Sequence, residues 1–196
     1  MLTPEQLAAL RRDIEFSAEL VGRRFVFRST WGLFSPREID EGTRLLLRHV
    51  EAKPADDCLD LGCGYGPIGL GLAALAPEGR TLLVDKDCVA VEYARRNIAL
   101  NGLSNAEALL SNGFAQIEHG RRFDVIASNV PAKVGKELLA ILLHDAHARL
   151  RPGGRLYLVT INGLRDYIKR NLLEVFSNYD KLKQGTHYTV ALARRD

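Results

Sequence analysis

From Cys58 onward the chain alternates short apolar runs with stretches of helical periodicity, and this alternation restricts the fold more than any other feature of the sequence. Cys58-Leu59-Asp60-Leu61 reads as a strand, Pro67 to Ala76 as a helix, Thr81 to Val84 as a strand, and Val89 to Leu100 as a helix closed by Asn101-Gly102. Ala106 to Leu110 and Phe123 to Ser128 are the next strands. A helix from Gly135 to Leu150 stops at Pro152-Gly153-Gly154, and Leu156 to Ile161 is one more buried strand. Strands that are apolar throughout and separated by helices build a parallel sheet covered on both faces. The tail departs from this rhythm. A helix from Leu164 to Phe176 precedes Tyr179 to Lys183, Gly185 and the alternating Tyr188 to Ala193, which predicts a terminal antiparallel pair. The expected fold is a doubly wound α/β domain whose mostly parallel seven-stranded sheet ends in an antiparallel last strand.

Two smaller units stand in front. Thr3-Pro4-Glu5 combines a capping residue with proline at the first helical position, and Leu7 and Leu10 continue the spacing of a short helix. Ile14, Phe16, Ala18 and Leu20 alternate, Val21-Gly22 interrupts, and Phe25 and Phe27 alternate again, as in a β-hairpin. Ser35-Pro36 then opens an amphipathic helix through Ile39, Leu45, Leu46 and Val50, ended before Pro54. The 196 residues fit one domain, with 1–35 as a helix-and-hairpin extension and 36–196 as the main body.

Composition excludes more than it identifies. A formal charge of +3 permits a nucleic-acid partner without demanding one. Apolar runs fall short of the about eighteen residues that a membrane span needs, and Glu5, Arg11, Arg12, Asp13 and Glu15 interrupt any apolar leader, so a cytoplasmic protein with no membrane contact is expected. Cys58, Cys63 and Cys88 lie in apolar stretches without the paired spacing of zinc or redox sites and read as reduced core thiols. His144 and His147 sit three apart on a helix but lack a third ligand, so they read as a solvated face and no metal is expected.

The chemistry concentrates at the ends of the strands. Asp60-Leu61-Gly62-Cys63-Gly64-Tyr65-Gly66-Pro67-Ile68-Gly69 follows the first strand of the main body. Glycines there let the backbone approach a ligand closely and aim amides and a helix N-terminus at its polar groups. Asp85, followed by Lys86, closes the second strand about twenty residues on, where a carboxylate accepts both hydroxyls of a ribose. Gly64-x-Gly66-x-x-Gly69 also satisfies the dinucleotide fingerprint, so a nicotinamide or flavin enzyme is the rival reading. The charge of Asp60 favours S-adenosyl-L-methionine, because a carboxylate repels a pyrophosphate but attracts, directly or through water, the ammonium of a methionine moiety. Ser111-Asn112-Gly113 ends the third strand, where the Asn112 amide is placed to bond an adenine amino group. Ser128-Asn129-Val130-Pro131-Ala132-Lys133 ends the fourth and is the candidate reaction centre. The Asn129 amide oxygen and the Val130 carbonyl can accept the two hydrogens of a planar amine, with Pro131 stiffening the loop.

Taken together, Asp60 to Gly66, Asp85, Ser111-Asn112 and Asn129-x-Pro131 resemble the small-domain family of class I methyltransferases, which includes enzymes that methylate the guanine exocyclic amine of small-subunit ribosomal RNA. Gly32-Leu33-Phe34-Ser35, then Asp40-x-Gly42-Thr43 and Leu45-Leu46-Leu47, resemble the segment preceding the cofactor motif in that family, and Gly135-Lys136-Glu137 is similar to its single-domain members. The resemblance covers roughly Ile14 to Ala193. It implies methyl transfer from S-adenosyl-L-methionine to an amine nitrogen, with RNA as partner. The cofactor would meet Asp60, Gly62, Cys63, Gly64, Gly66, Asp85, Lys86, Asn112, Gly113 and Asn129, and the acceptor Asn129, Val130 and Pro131.

The chain departs from the family in one place. Val130 replaces the first proline of the usual Asn-Pro-Pro, and Ala132 stands where an aromatic or large apolar residue is usual. Val130 keeps its carbonyl, but Ala132 cannot stack on a base, and stacking contributes about 1 to 3 kcal/mol. Phe34 or Tyr65 could supply a ring, and Lys133 with Lys136 could meet phosphates. A methyltransferase of a protein amide or small molecule, and an RNA-binding module without turnover, remain open beside the RNA enzyme.

Overall fold

The computed structural model describes residues 1–132 and 134–196. Helix α1, Pro4–Leu10, begins at Thr3, whose side chain accepts from the Gln6 amide while Gln6 reaches back to Thr3. Strands β1, Ile14–Leu20, and β2, Arg23–Ser29, pair in register from Ile14 opposite Ser29 to Leu20 opposite Arg23. Val21 and Gly22 both take positive φ, 48° and 74°, the turn whose twist matches a two-residue hairpin.

The main body runs α2, Glu41–Leu47; β3, Cys58–Leu61; α3, Pro67–Leu75; β4, Thr81–Asp85; α4, Cys88–Leu100; β5, Ala106–Leu110; β6, Phe123–Asn129; α5, Lys136–Arg149; β7, Leu150–Ile161; α6, Arg165–Phe176; β8, Asp180–Gln184; and β9, Tyr188–Arg194. The seven-stranded sheet has the order β5-β4-β3-β6-β7-β9-β8. Pairing is parallel from β5 through β7, and β9 runs antiparallel to both β7 and β8. Strand order reverses between β3 and β6, which opens a crevice at their carboxyl ends.

Alternate residues of each strand enter opposite layers of core, as the period of two requires. Leu83, Val125 and Ala127 join Phe25, Phe27, Leu46 and Leu70 on one face. Leu82, Val84 and Ile126 join Leu139, Leu143, Ile168 and Leu172 on the other. The hairpin is fastened to α4 by two side-chain amides: Asn97 Oδ1 accepts from Arg28 N at 2.7 Å and Asn101 Oδ1 from Val26 N at 2.9 Å, and each amide donates back to the same residue's carbonyl. The edge of β2 is thereby paired without another strand.

Three expectations need correction. The helix expected from Ser35 begins only at Glu41, with Asp40 as its cap. The backbone before it is claimed by side chains, since Ser29 Oγ donates to the Pro36 carbonyl, Tyr65 Oη reaches the Ser35 and Glu38 carbonyls, and Ser35 sits at φ 47°. Pro152-Gly153-Gly154 does not separate a helix from a later strand. β7 already starts at Leu150, and Gly153, at φ 75°, donates to the Arg195 carbonyl within an irregular stretch of the ladder. Cys58 and Cys63 are buried, but Cys88 is exposed, because it is the first residue of α4 after the Asp87 cap and lies on its solvent side. Among the described residues, no helix is long and apolar enough to cross a membrane and no three His, Cys, Asp or Glu side chains cluster as metal ligands.

Candidate active site

Burial and glycine conformation shape the turn that leaves β3. Gly62 and Gly64 take φ of 77° and 55°, and a Cβ on either would stand in open space. A side chain there would enter the region that a ligand needs, and only glycine reaches these angles without strain. Gly66 and Gly69 also make room for packing. A Cβ at Gly69 would stand 2.2 Å from Leu83 Cγ, and one at Gly66, itself at φ 101°, 3.1 Å from Leu83 Cδ2, so these two glycines let the start of α3 lie close on β4.

Two carboxylates hold this turn. Asp60, fully buried, accepts from the Gly69 amide at 2.7 Å and so caps the third residue of α3. Burial pushes its carboxyl up to about 8, the Gly69 hydrogen bond opposes this, and the nearby charge of Asp85 adds to it. Its other oxygen, Oδ1, is buried without a partner among the described residues. Asp85 accepts from the Gly64 amide at 2.8 Å through Oδ2 and from the Asp87 amide at 3.0 Å through Oδ1.

These elements line one side of a cleft of about 810 Å³. That volume lies in the range of small-molecule sites. Gly62, Cys63, Gly64, Asp85 and Lys86 stand on one wall, Asn112 and Gly113 follow, and Asn129, Val130, Pro131 and Ala132 form the wall beyond. Asn112 N donates to Gln116 Oε1, and Ser111 Oγ donates to the Gly113 carbonyl, which fixes that corner. Cofactor contacts expected at Asp60 and Gly66 are not on the cleft wall, because one carboxylate is turned under α3 and the other residue is spent on helix packing.

At the end of β6, Ser128 Oγ donates to the Leu61 carbonyl at 2.7 Å and Val130 N to the Val159 carbonyl at 2.9 Å, anchoring the strand end to β3 and β7. Asn129 Nδ2 donates to Asp40 Oδ2 at 2.8 Å and Thr43 Oγ1 at 3.1 Å. Tyr188 Oη donates to Asp40 Oδ1 at 3.0 Å. Burial, then the bond to Asp40, pushes the Tyr188 hydroxyl up to about 12.

Phe34, 65% exposed, lines the cleft at its rim. Tyr65 does not offer a stacking face. Its ring packs against Phe16 and Phe27 and its hydroxyl is held by the Ser35 and Glu38 carbonyls, which leaves it 3% exposed. Lys136 is exposed at the first position of α5, away from the cleft wall, and Lys133 lies outside the described residues. Reasoning from sequence missed the roles of Asp40, Thr43 and Tyr188. Asp40 and Thr43 stood out only as part of a resembling segment, and Tyr188 carried no local signal at all.

Comparison with known proteins agrees with this geometry. The model of the methyltransferase small domain matches residues 24–192. The uncharacterized protein YbxB of Bacillus subtilis is 33% identical over 183 residues, covering 92% of this chain and 90% of that protein. Ribosomal RNA small subunit methyltransferase C of Hamiltonella defensa is 32% identical over 190 residues, 92% of this chain but 55% of that protein. Among solved structures, the T. thermophilus 16S rRNA N2 G1207 methyltransferase in complex with AdoMet and guanosine superposes with a TM-score of 0.84 at 30% identity, over 94% of this chain and 51% of that one. The chain thus spans about half the length of the ribosomal RNA methyltransferases it matches and nine tenths of the Bacillus protein. With a matching model over most of its length and a shared fold, the chain belongs to the methyltransferase small domain family.

Proposed function

We propose that this protein is an S-adenosyl-L-methionine-dependent methyltransferase that methylates the exocyclic amine of a guanine in ribosomal RNA. The observation that carries the reading is that Asn129 and Val130 share one cleft with the glycine turn and Asp85. An amine acceptor and a nucleoside cofactor would therefore meet in one enclosure. Residues present fit that cofactor: Gly62 and Gly64 line the cleft with open space where a Cβ would stand, and Asp85 lines it as the carboxylate that ribose hydroxyls would meet.

When bound, the sulfonium supplies an electrophilic methyl group on a neutral leaving group, so no acid need assist departure. The chain's part is positioning and charge stabilisation. Asn129 Oδ1 and the Val130 carbonyl accept the two amine hydrogens, hold the nitrogen lone pair toward the methyl, and stabilise the positive charge as the bond forms. Among the described residues neither oxygen has a donor competing for it, and Pro131 has no N–H to offer. Water then removes the surplus proton.

RNA as acceptor draws support from the relatives, whose names specify ribosomal RNA, and from aromatic faces beside the cleft. Phe34 lies on the cleft rim, and Trp31, on the same loop, sits under the Arg37 guanidinium at 4.6 Å. Such faces suit unstacked bases. Ala132 on the opposite wall favours a second reading, transfer to a protein amide or small molecule, since it offers no ring. Incubating the protein and tritiated adenosylmethionine with ribosomal RNA, transfer RNA and protein fractions from a strain lacking the gene separates them. Label confined to the ribosomal RNA is expected, and label confined to protein would overturn the RNA assignment.

A further inference from the structure

Asn129 can serve as an acceptor in the cleft only if its amide faces the right way. The amide has one oxygen and one nitrogen at its end, and a half-turn about the last side-chain bond exchanges them. With the nitrogen toward the cleft, two N–H donors would confront the hydrogens of the incoming amine. Packing barely distinguishes the two orientations, because the groups are nearly equal in size. Hydrogen-bond chemistry behind the residue must make the choice.

That chemistry lies 89 residues away in sequence, on the loop and first turn of α2. An ionised carboxylate only accepts, so Asp40 Oδ2, 2.8 Å from Asn129 Nδ2, rejects the flipped amide, which would set oxygen against oxygen. Thr43 Oγ1 takes the second amide hydrogen at 3.1 Å. Asp40 is itself fixed on both oxygens, by the Thr43 amide at 3.1 Å and by Tyr188 Oη at 3.0 Å from β9. Gly42 makes room for this closure, since a Cβ there would stand 2.8 Å from the Tyr188 ring and 2.9 Å from Asp40 Oδ2.

We propose that Asp40 is a positioning residue that sets the Asn129 amide with its oxygen toward the acceptor, and that Tyr188 holds Asp40 in place to do so. This rests on the reading of Asn129 as the group that receives the acceptor amine. Asp40 lines the cleft beside Asn129, and in this role it acts through the Asn129 amide.

The test separates this role from the helix cap that Asp40 also provides. Asp40 Oδ2 accepts from both the Thr43 amide and Asn129 Nδ2, so an asparagine that kept the cap would keep an oxygen on Asn129 as well. Serine caps a helix as well as aspartate but is too short to reach Asn129, so Asp40→Ser keeps the cap and removes the acceptor. Turnover of Asp40→Ser on ribosomal RNA from the deletion strain should fall about ten- to a hundredfold, the scale of a misplaced catalytic group, with melting temperature and adenosylmethionine affinity nearly unchanged. Tyr188→Phe should lower turnover less. Asn129→Asp alone should also be poor, because two carboxylates then face one another. In the double variant Asp40→Asn with Asn129→Asp, an amide nitrogen at position 40 can donate to the new carboxylate at the expense of the cap bond, so turnover should recover at least tenfold over Asn129→Asp. Selective ¹⁵N labelling of asparagine gives a readout free of substrate: the Asn129 side-chain amide protons should shift upfield in Asp40→Ser. Unchanged turnover and unchanged amide shifts in Asp40→Ser would overturn the proposal, as would a double variant no better than Asn129→Asp. Asn129→Ala with full turnover would instead remove the reading of Asn129 on which it rests.

Discussion

The two walls of the cleft are built on different principles. On the wall proposed for the cofactor, the turn is fixed by residues within about twenty positions of one another: Gly62 and Gly64 by their angles, the buried Asp60 beneath it through Gly69, and Asp85 through Gly64 and Asp87. On the wall proposed for the acceptor, one side chain, Asn129, is held by Asp40 and Thr43 from far earlier in the chain, and Asp40 in turn by Tyr188 from β9. A wall of backbone tolerates little change of residue type at its glycines but depends on few long-range contacts. A wall of side chains can be retuned by a substitution, as Val130 and Ala132 illustrate, at the cost of depending on the whole fold.

Losing the acceptor-side group should give the largest effect. Asn129→Ala should lower turnover by about a hundred- to a thousandfold, the usual cost of one preorganised group, while calorimetric affinity for adenosylmethionine changes far less. Asp85→Ala should act on the other wall alone. Removing a hydrogen bond to a charged group costs about 1.5 to 3 kcal/mol, roughly ten- to more than a hundredfold in adenosylmethionine affinity, and the freed Gly64 amide adds some loss of stability. Equal affinity in the variant would remove Asp85 from the site.

The glycines allow a finer split of the cofactor wall. Gly69→Ala forces a methyl into Leu83 and should destabilise by about 1 to 3 kcal/mol in denaturant titration. Gly62→Ala meets no neighbour but adopts φ 77°, and should cost about 1 to 2 kcal/mol while also weakening adenosylmethionine binding. If Gly69→Ala proved the more damaging to affinity at equal stability, the division between packing and ligand-facing glycines would fail.

Asp60 should make the unliganded protein sensitive to pH. In the unfolded chain the carboxyl ionises near 3.8, whereas in the fold it does so near 8, so over that window the native state retains a proton that the unfolded state has lost. Stability should therefore fall as pH rises from about 4 to about 8 through this group, and Asp60→Asn should flatten the slope in urea titrations across it. Smaller still is the effect expected at the surface. Trp31→Ala and Lys136→Gln should each weaken RNA binding by tenfold or less, and only the lysine change should reduce the salt dependence, by about one unit of slope.

Much of the molecule was legible beforehand because its determinants are local. Ala106–Leu110 coincides with the expected strand to the residue, the hairpin turns at Val21-Gly22, and Thr3 caps the first helix, since periodicity, turn angles and caps are written within a few neighbours. The expected helix start at Ser35-Pro36 failed for the opposite reason. Ser29 and Tyr65, from outside the segment, take the carbonyls that a helix there would need. Tyr65 likewise reads as a ring free for stacking until the hairpin covers it.

By itself the sequence determined the alternation of strands and helices, the sheet that follows from it, and the strand ends at which Gly62, Asp85, Asn112 and Asn129 must lie. Tertiary structure alone decided that Asp60 turns under α3, that Gly66 serves packing, and that Asp40 and Tyr188 stand behind Asn129. The reason is physical. A hydrogen-bond period or a glycine angle is fixed over a few residues, but the contact between Asp40 and Tyr188, 148 residues apart, exists only because β9 inserts antiparallel between β7 and β8 and carries that hydroxyl to the capped end of α2.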